Sequence, residues 1–252
     1  GNWSLDTSPS YLTFDLLSRI ASPYETNPLN LNPLRDLLDA HIDFNKVRCC
    51  TDMGVYLSAT NVETGRVRVF QRDEITRDTV LASACLPFMF QAVKIDGQHY
   101  WDGGFMGNPV LFPFIDDSPT EDIVIIQINP VLREGVPKTA REILNRVNEI
   151  TFNSSLLKEL RAIDFVDRLK RDGFLSEGYR QMRIHMIESR KQMRPLGASS
   201  KLNTEWAFLT HLFEIGRRSA DRWLGKNFDR LGKESTIDVR MMFEGIGARH
   251  HG

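Results

Sequence analysis

The chain opens with apolar residues at helical spacing. This spacing predicts a helix at 11–20 (YLTFDLLSRI) and a second, shorter helix at 34–41. The pair Asn32-Pro33 stands directly before the second helix, which is the expected order of a capping residue and a first-turn proline. Between the two helices, three prolines in 22–33 (SPYETNPLNLNP) predict an extended, turning segment.

Strand-like patterns follow and predict two hairpins. The first consists of strand regions at 47–60 and 67–70 around a turn at 61–65 (NVETG). The second occupies 93–101 and turns at Asp96-Gly97, a pair typical of two-residue turns.

The second half of the chain combines a long apolar run with helical patterns. The run at 122–129 (DIVIIQIN) predicts a strand that is buried on both faces, and 181–188 predicts a further strand. Helices are predicted at 78–85, 139–170 and 203–231, the last as one helix or a pair. Strands followed by helices favour a layered α/β fold, with a division into an α/β part at 1–136 and a mainly helical extension at 137–252.

Composition narrows the class of protein. The 252 residues are 41% hydrophobic and 26% charged, which is typical of a soluble globular chain. A net charge of -1 provides no global field to recruit nucleic acid. The longest apolar stretches, at 86–90 and 110–115, are too short to span a bilayer, and the first residues do not resemble a signal peptide.

The three cysteines, Cys49, Cys50 and Cys85, do not form a disulfide framework. If Cys49 and Cys50 are neighbours on a strand, their side chains point to opposite faces and cannot bond each other. We expect reduced, mostly buried thiols, which favours a reducing compartment such as the cytoplasm as the location.

The most informative residues come at the end of the second hairpin. Trp101 is followed by Asp102, Gly103 and Gly104. Two glycines after an acid let the backbone turn sharply and leave space beside the carboxylate. The sequence therefore predicts a carboxylate that a rigid strand holds at a cleft. The plainer alternative is that Asp102 only caps a turn, which Asp-Gly pairs often do.

At these residues the chain resembles the patatin-like phospholipase family, and 22–38 resembles its bacterial branch. The resemblance depends on an ordered set of motifs that covers the first half of the chain densely. These motifs are Ala59-Thr60-Asn61, Glu63-Thr64-Gly65, Ala82-Ser83 continued to Pro87 with Phe88 and Phe90, and Asp102-Gly103-Gly104 continued to Asn108-Pro109.

The resemblance implies a layered α/β/α sandwich and a lipid acyl hydrolase of the phospholipase A or esterase type. Members of the family use a Ser–Asp dyad, with the serine in a G-x-S-x-G elbow and an acyl-enzyme intermediate. Only the aspartate maps onto this chain, as Asp102, which would be the general base. Partial burial beside Trp101 and Phe105 is expected to raise its pKa above the ordinary value of ~3.9. No cofactor and no metal are expected.

The sequence departs from the family in lacking the nucleophile. No G-x-S-x-G occurs, and the nearest match, at 197–201 (GASSK), ends in lysine. A glycine-rich oxyanion loop (G-G-G-x-R-G) is also absent. We therefore expect the nucleophile to lie in a missing N-terminal segment that packs against this chain. On this interpretation the chain alone is inactive.

Two other functions stay open. The chain could be a catalytically incomplete fragment that binds lipid or a partner, or the acyl-enzyme could pass its acyl group to another lipid as an acyltransferase. Possible peripheral membrane contact rests on a cationic stripe in the last long helix, for which a solvated surface is the simpler explanation. The stripe consists of Arg218, Arg222, Lys226 and Arg230.

Overall fold

The computed structural model describes residues 3–5, 8–176 and 178–245 of the chain. The described residues divide into two compact units. The N-terminal unit contains residues 8–110, and the C-terminal unit contains residues 111–245 together with 3–5. The chain thus passes from one unit to the other after Val110, earlier than the division after residue 136 that the sequence suggested.

Five helices are described in the N-terminal unit, and local signals account for where they begin. They are α1 (Pro9–Ile20), α2 (Pro23–Thr26), α3 (Pro33–His41), α4 (Phe44–Cys49) and α5 (Arg77–Ser83). The helices predicted at 11–20, 34–41 and 78–85 are confirmed. The side chain of Asn32 accepts a hydrogen bond from the Leu34 N–H at 3.1 Å, and this caps α3 as its position before proline suggested.

The segment between α1 and α3 is less extended than predicted, because α2 forms a single helical turn within it. Glu25 accepts a hydrogen bond from the Ser22 N–H at 2.8 Å. A serine followed three residues later by a glutamate is a capping-box pattern, and it outweighs the surrounding prolines here.

The sheet of the N-terminal unit has four antiparallel strands in the order β2-β1-β4-β3. The strands are β1 (Tyr56–Asn61), β2 (Val67–Gln71), β3 (Val93–Ile95) and β4 (Gln98–Asp102). Both predicted hairpins are present. The β3–β4 turn contains Asp96 at φ 51° and Gly97 at φ 80°. Two successive residues in the left-handed region are what a tight hairpin turn of this kind requires.

The prediction of a strand from residue 47 is wrong for its first part, because α4 ends at Cys49 and β1 begins only at Tyr56. Asp43 caps α4 by accepting hydrogen bonds from the N–H groups of Asn45 and Lys46. This cap overrides the strand preference of the apolar residues that follow it.

The expectation for the cysteines changes accordingly. Cys49 and Cys50 are not strand neighbours, since one ends α4 and the other follows it. All three thiols are free, as expected, but Cys49 is exposed, Cys50 is half-buried, and Cys85 is the buried one.

The core of the N-terminal unit packs between the sheet and α5. Its buried residues are Ala59, Phe70, Ile75, Ala82 and Tyr100. Tyr100 is fully buried, yet its hydroxyl accepts a hydrogen bond from Arg68 at 3.1 Å and donates one to Gln98 at 2.9 Å. Because its polar atom is paired, this large side chain can fill the core without a desolvation penalty.

The C-terminal unit combines a two-stranded parallel sheet with helices. Its elements are α6 (Phe112–Asp117), β5 (Asp122–Gln127), α7 (Ala140–Arg171), β6 (Arg183–Glu188), α8 (Arg190–Met193), α9 (Trp206–Asn227) and α10 (Val239–Glu244). The strands and long helices predicted in this half are confirmed. Among the described residues, no helix is both long and apolar enough to cross a bilayer.

One face of the parallel sheet forms the core of this unit. Ile123 and Ile125 on β5 pack with Ile184 on β6 and with Leu156 and Leu160 on α7. Residues of α10 are partly buried against the same cluster. This packing explains why α7 can be 32 residues long, since tertiary contacts along one face stabilise it.

The prediction that β5 is buried on both faces is wrong for the part of the chain that the structure describes. Val124 is 44% exposed and Ile126 is 73% exposed, while the alternate residues are buried. The described residues therefore cover only one face of the strand. The fold is mixed α/β, as expected, and the full α/β/α layering stays a prediction.

A partly buried polar cluster joins β5 to β6, and nothing in the sequence pattern indicated it. Asp122 binds Arg183 at 2.9 Å and the His185 Nε2 atom at 2.9 Å, and it accepts the Gly232 N–H at 3.0 Å. The His185 Nδ1 atom lies 3.2 Å from the Thr236 hydroxyl. The Arg183 guanidinium is the main reason that the pKa of Asp122 lies well below its usual range.

The pKa of Asp167 on α7 is shifted in the opposite direction from that of Asp122. Burial raises the pKa of Asp167 to about 6, although the positive charge of Arg171 opposes the shift. A carboxyl whose pKa is higher in the folded than in the unfolded state contributes stability below about pH 4. That contribution is lost as the pH rises through 6, because the buried group must then carry a charge.

We therefore expect Asp167→Asn to raise the melting temperature by about 3 °C at pH 8 and by much less at pH 4. Differential scanning calorimetry at the two pH values would measure this. The matched control is Asp221→Asn on the exposed side of α9, which should give the same small change at both. An equal effect of Asp167→Asn at both pH values would contradict the prediction.

Candidate functional site

Asp102 is the last residue of β4, where the sheet ends. Its main chain pairs with Ala59 on β1, and this is the last pair in the register of the two strands. The Asp102 N–H donates to the Cys85 carbonyl at 2.9 Å, and the Thr60 hydroxyl donates to the Asp102 carbonyl at 2.8 Å. The half-buried aspartate thus stands on a backbone that is held on both sides.

The Asp102 side chain caps the turn that follows it. Its Oδ1 atom accepts the Gly104 N–H at 2.7 Å, at the start of a 3-10 turn over Gly103–Phe105. The capping interpretation is therefore correct for this oxygen. A carboxylate that accepts a backbone hydrogen bond has a fixed orientation, which a catalytic base also needs.

Gly103 is required for a reason other than the one expected. A Cβ atom at this position would lie 2.1 Å from the Ser58 carbonyl oxygen and 2.6 Å from its carbonyl carbon. The space beside this residue is filled by β1 and is not left open. Only glycine allows the chain after Asp102 to cross so close to the neighbouring strand.

The loop closes back on itself within a few residues. The N–H groups of Met106 and Gly107 both donate to the Gly103 carbonyl, at 3.0 and 2.8 Å. The peptide bond of Asn108-Pro109 is cis, and Val110 beyond it is buried. The sequence DGGFMG therefore forms a compact turn at the end of β4.

Cys85 lies beneath this loop with its thiol pointing into the protein. The Sγ atom donates to the Gln91 carbonyl at 3.3 Å, and the residue is 1% exposed. Burial raises the pKa of this thiol to about 11, and the negative charge of Asp102 adds to the increase. Cys85 is therefore protonated at neutral pH and is not a nucleophile.

The upstream motifs have structural roles. Asn61 accepts hydrogen bonds from the N–H groups of Glu63 and Thr64 and donates its amide to Gln98, so it closes the β1–β2 turn. Ala82 is fully buried in α5 under the sheet. The motif residues thus shape the framework around Asp102.

An apolar groove lies beside the loop in the N-terminal unit. Its volume is about 790 Å³, and its lining includes Trp101 and Phe105, the residues on either side of the Asp-Gly-Gly sequence, but not Asp102 itself. Other lining residues include the apolar or aromatic Ile20, Pro23, Tyr24, Phe88 and Met106 and the polar Ser22, Glu25, Thr60 and Asn61. Such a lining is suited to a hydrocarbon chain.

Two histidines on strands, His99 on β4 and His185 on β6, contact acids other than Asp102. His99 lies at the surface, 3.4 Å from the Glu63 carboxylate. His185 does have an acidic partner, Asp122, which the sequence did not suggest because the contact joins two strands about 60 residues apart. His250 and His251 lie outside the described residues. Within the described ranges, no three His, Cys, Asp or Glu side chains are grouped to hold a metal ion.

The family of this region follows from comparison with known proteins. Residues 14–115 match the family described as Patatin-like phospholipase. This region is patatin-like. It extends from α1 through both hairpins and Asp102 into α6, and it is less than half of the chain. No curated protein matches the chain.

The match to residues 14–115 confirms the resemblance to this family that the sequence motifs indicated. It indicates phospholipid hydrolysis as the general activity of the family that residues 14–115 resemble. Most of the C-terminal unit lies beyond the matched residues.

The close approach of Gly103 to β1 gives a test of the loop geometry. We expect Gly103→Ala to lower the free energy of unfolding by about 3 kcal/mol, because the new methyl group would meet backbone atoms that cannot move aside. Urea denaturation would measure the change. Gly54→Ala is the matched control, since its Cβ would make only an ordinary contact at 3.4 Å with Tyr56. Equal stability of the two variants would show that the loop does not approach Ser58.

Proposed function

We propose that the protein is a lipid acyl hydrolase of the phospholipase A or esterase type, with Asp102 as the general base of a Ser–Asp dyad. The observation that carries the proposal is the position of Asp102. It lies within the patatin-like region, on a backbone fixed by Cys85 and Thr60, next to residues that line an apolar groove.

The proposed reaction passes through an acyl-enzyme. The serine oxygen attacks the ester carbonyl while Asp102 accepts the serine proton. The tetrahedral intermediate expels the alcohol, which takes that proton from Asp102. A water molecule then attacks the acyl-serine and gives a proton to Asp102. Release of the fatty acid returns the proton to the serine oxygen.

The groove supplies a place for the acyl chain of the substrate. Its lining is mainly apolar. Two of the lining residues, Trp101 and Phe105, are near neighbours of Asp102 in the sequence. A hydrocarbon chain that enters such a groove leaves water, and each buried CH₂ contributes about 0.8 kcal/mol to binding. The proposed substrate is therefore a lipid ester.

The nucleophile is proposed to lie in a segment outside these 252 residues. The sequence contains no G-x-S-x-G, so the serine elbow of the family has no counterpart here. Val124 and Ile126 of β5 are exposed, although parallel strands are generally covered on both faces. Their exposure supports the proposal that a further layer of the fold covers this face of the sheet. We propose that this segment packs against the chain and that the full layered sandwich forms with it.

The central test uses the full-length product of the gene. Asp102→Asn should lower kcat for a long-chain ester by about 10³-fold, because the amide cannot accept the serine proton. The matched control is Asp96→Asn, which changes an exposed acid of the same unit in a turn that asparagine also tolerates. Activity retained in Asp102→Asn would refute the proposed role.

A serine-reactive fluorophosphonate, followed by peptide mass spectrometry, locates the nucleophile. The proposal requires a labelled serine outside the 252 residues. Turnover in the presence of a competing alcohol separates hydrolysis from acyl transfer, since a transferase would form the new ester. A full-length protein without turnover or labelling would instead support the lipid- or partner-binding alternative.

Peripheral contact with a membrane is proposed through α9. The helix exposes the cations Arg222 and Lys226, which lie one turn apart on the same face. The predicted stripe of four cations reduces to two, because α9 ends at Asn227, before Arg230, and both outer cations bind acids of the chain itself. These pairs are Arg218 with Glu214 and Arg230 with Glu234.

We expect the double variant Arg222→Ala/Lys226→Ala to bind anionic vesicles at least tenfold more weakly, since each cation contributes about 1 kcal/mol near such a surface. Vesicle flotation would measure the binding. Lys46→Ala/Arg66→Ala, which removes two exposed cations from the N-terminal unit, should float normally. If the α9 variant floats as well as the unsubstituted protein, Arg222 and Lys226 belong to an ordinary solvated surface and do not contribute to membrane binding.

A further inference from the structure

Two hydroxyl groups on β1 point to the same side of the strand. Side chains alternate along a strand, so Ser58 and Thr60 share one face while Ala59 between them points into the core. Thr60 is only 7% exposed and Ser58 is half-buried. A buried hydroxyl is costly unless it forms a hydrogen bond, so the partners of these two groups matter.

Both partners belong to the loop that carries Asp102. We call residues Asp102–Gly107 the aspartate loop. The Thr60 Oγ1 atom donates to the carbonyl of Asp102 at 2.8 Å, and the Ser58 Oγ atom donates to the carbonyl of Gly107 at 3.1 Å. One strand thus holds the first and the last residue of the loop with hydroxyl groups two positions apart.

These side-chain bonds begin where strand pairing stops. The register of β1 with β4 ends at Ala59 and Asp102, and the next residue, Gly103, crosses against the Ser58 backbone. Beyond that point, N–H groups of the loop donate hydrogen bonds to acceptors within the loop itself, namely the Gly103 carbonyl and Asp102 Oδ1. Ser58 and Thr60 thus tie this internally bonded turn back to the rigid sheet.

We propose that Ser58 and Thr60 are positioning residues for Asp102, an inference that rests on the proposed function. They do not exchange protons with the substrate. They fix the loop so that the Asp102 carboxylate keeps one orientation toward the serine, and a catalytic group that is displaced by a fraction of an ångström loses rate. Thr60 also lines the groove, so its variants must separate positioning from substrate binding.

The experiment compares Thr60→Val with Thr60→Ser in the full-length protein. Valine has the shape of threonine without the donor, whereas serine keeps the donor. We expect Thr60→Val to lower kcat about tenfold with KM changed less than twofold, and Thr60→Ser to restore kcat to within about threefold. Ser58→Ala should act in the same direction. Thr64→Val, in the nearby turn, is the hydroxyl-deletion control.

Hydrogen exchange provides a readout that does not depend on activity. Peptides that contain the aspartate loop should exchange faster in Thr60→Val than in the unsubstituted protein, and at the normal rate in Thr60→Ser. A raised KM with an unchanged exchange rate would make Thr60 a binding residue and overturn the inference. Unchanged kcat and exchange in Thr60→Val would overturn it as well.

The two proposals fail in different ways. If Asp102→Asn keeps its activity, the catalytic role is refuted even when the exchange data show that Thr60 holds the loop. If Asp102→Asn is inactive while Thr60→Val has normal kcat and normal exchange, the catalytic role stands and the positioning role is refuted.

Discussion

The close contact between Gly103 and the Ser58 backbone governs the geometry of the candidate site. Because no side chain fits between them, the chain can leave β4 and turn directly over the adjacent strand. The turn brings the Gly104 N–H to the Asp102 carboxylate and the Gly107 carbonyl to the Ser58 hydroxyl. One steric requirement therefore determines both the orientation of the acid and the way the loop is attached to the sheet.

Much of the fold was predictable because it depends on short-range signals. The Asn32-Pro33 pair marks the start of α3, and the Asp96-Gly97 pair marks a tight turn, since each depends on only a few adjacent residues. The position of Asp102 at a strand end was predictable for the same reason. The start of β1 was not, because the cap provided by Asp43 turns an apolar stretch with strand character into α4.

The contacts that complete the site and the cores join residues that are distant in sequence. Asp122 reaches His185 across two parallel strands, and Thr60 reaches the Asp102 carbonyl across two antiparallel ones. No spacing rule links such pairs, because the register is determined only when the strands assemble. The exposure of Ile126 was unpredictable in the same sense, since burial depends on which layers cover a strand and not on its own composition.

The buried thiol beneath the aspartate loop has a practical consequence. The thiolate is the form that attacks alkylating reagents, so these reagents should modify the exposed Cys49 long before the protonated, enclosed Cys85. Since Cys85 also accepts the Asp102 N–H through its carbonyl, any opening of the loop that bares the sulfur must disturb the same backbone. The rate at which Cys85 becomes alkylated would thus report how often the loop around Asp102 opens in the native protein.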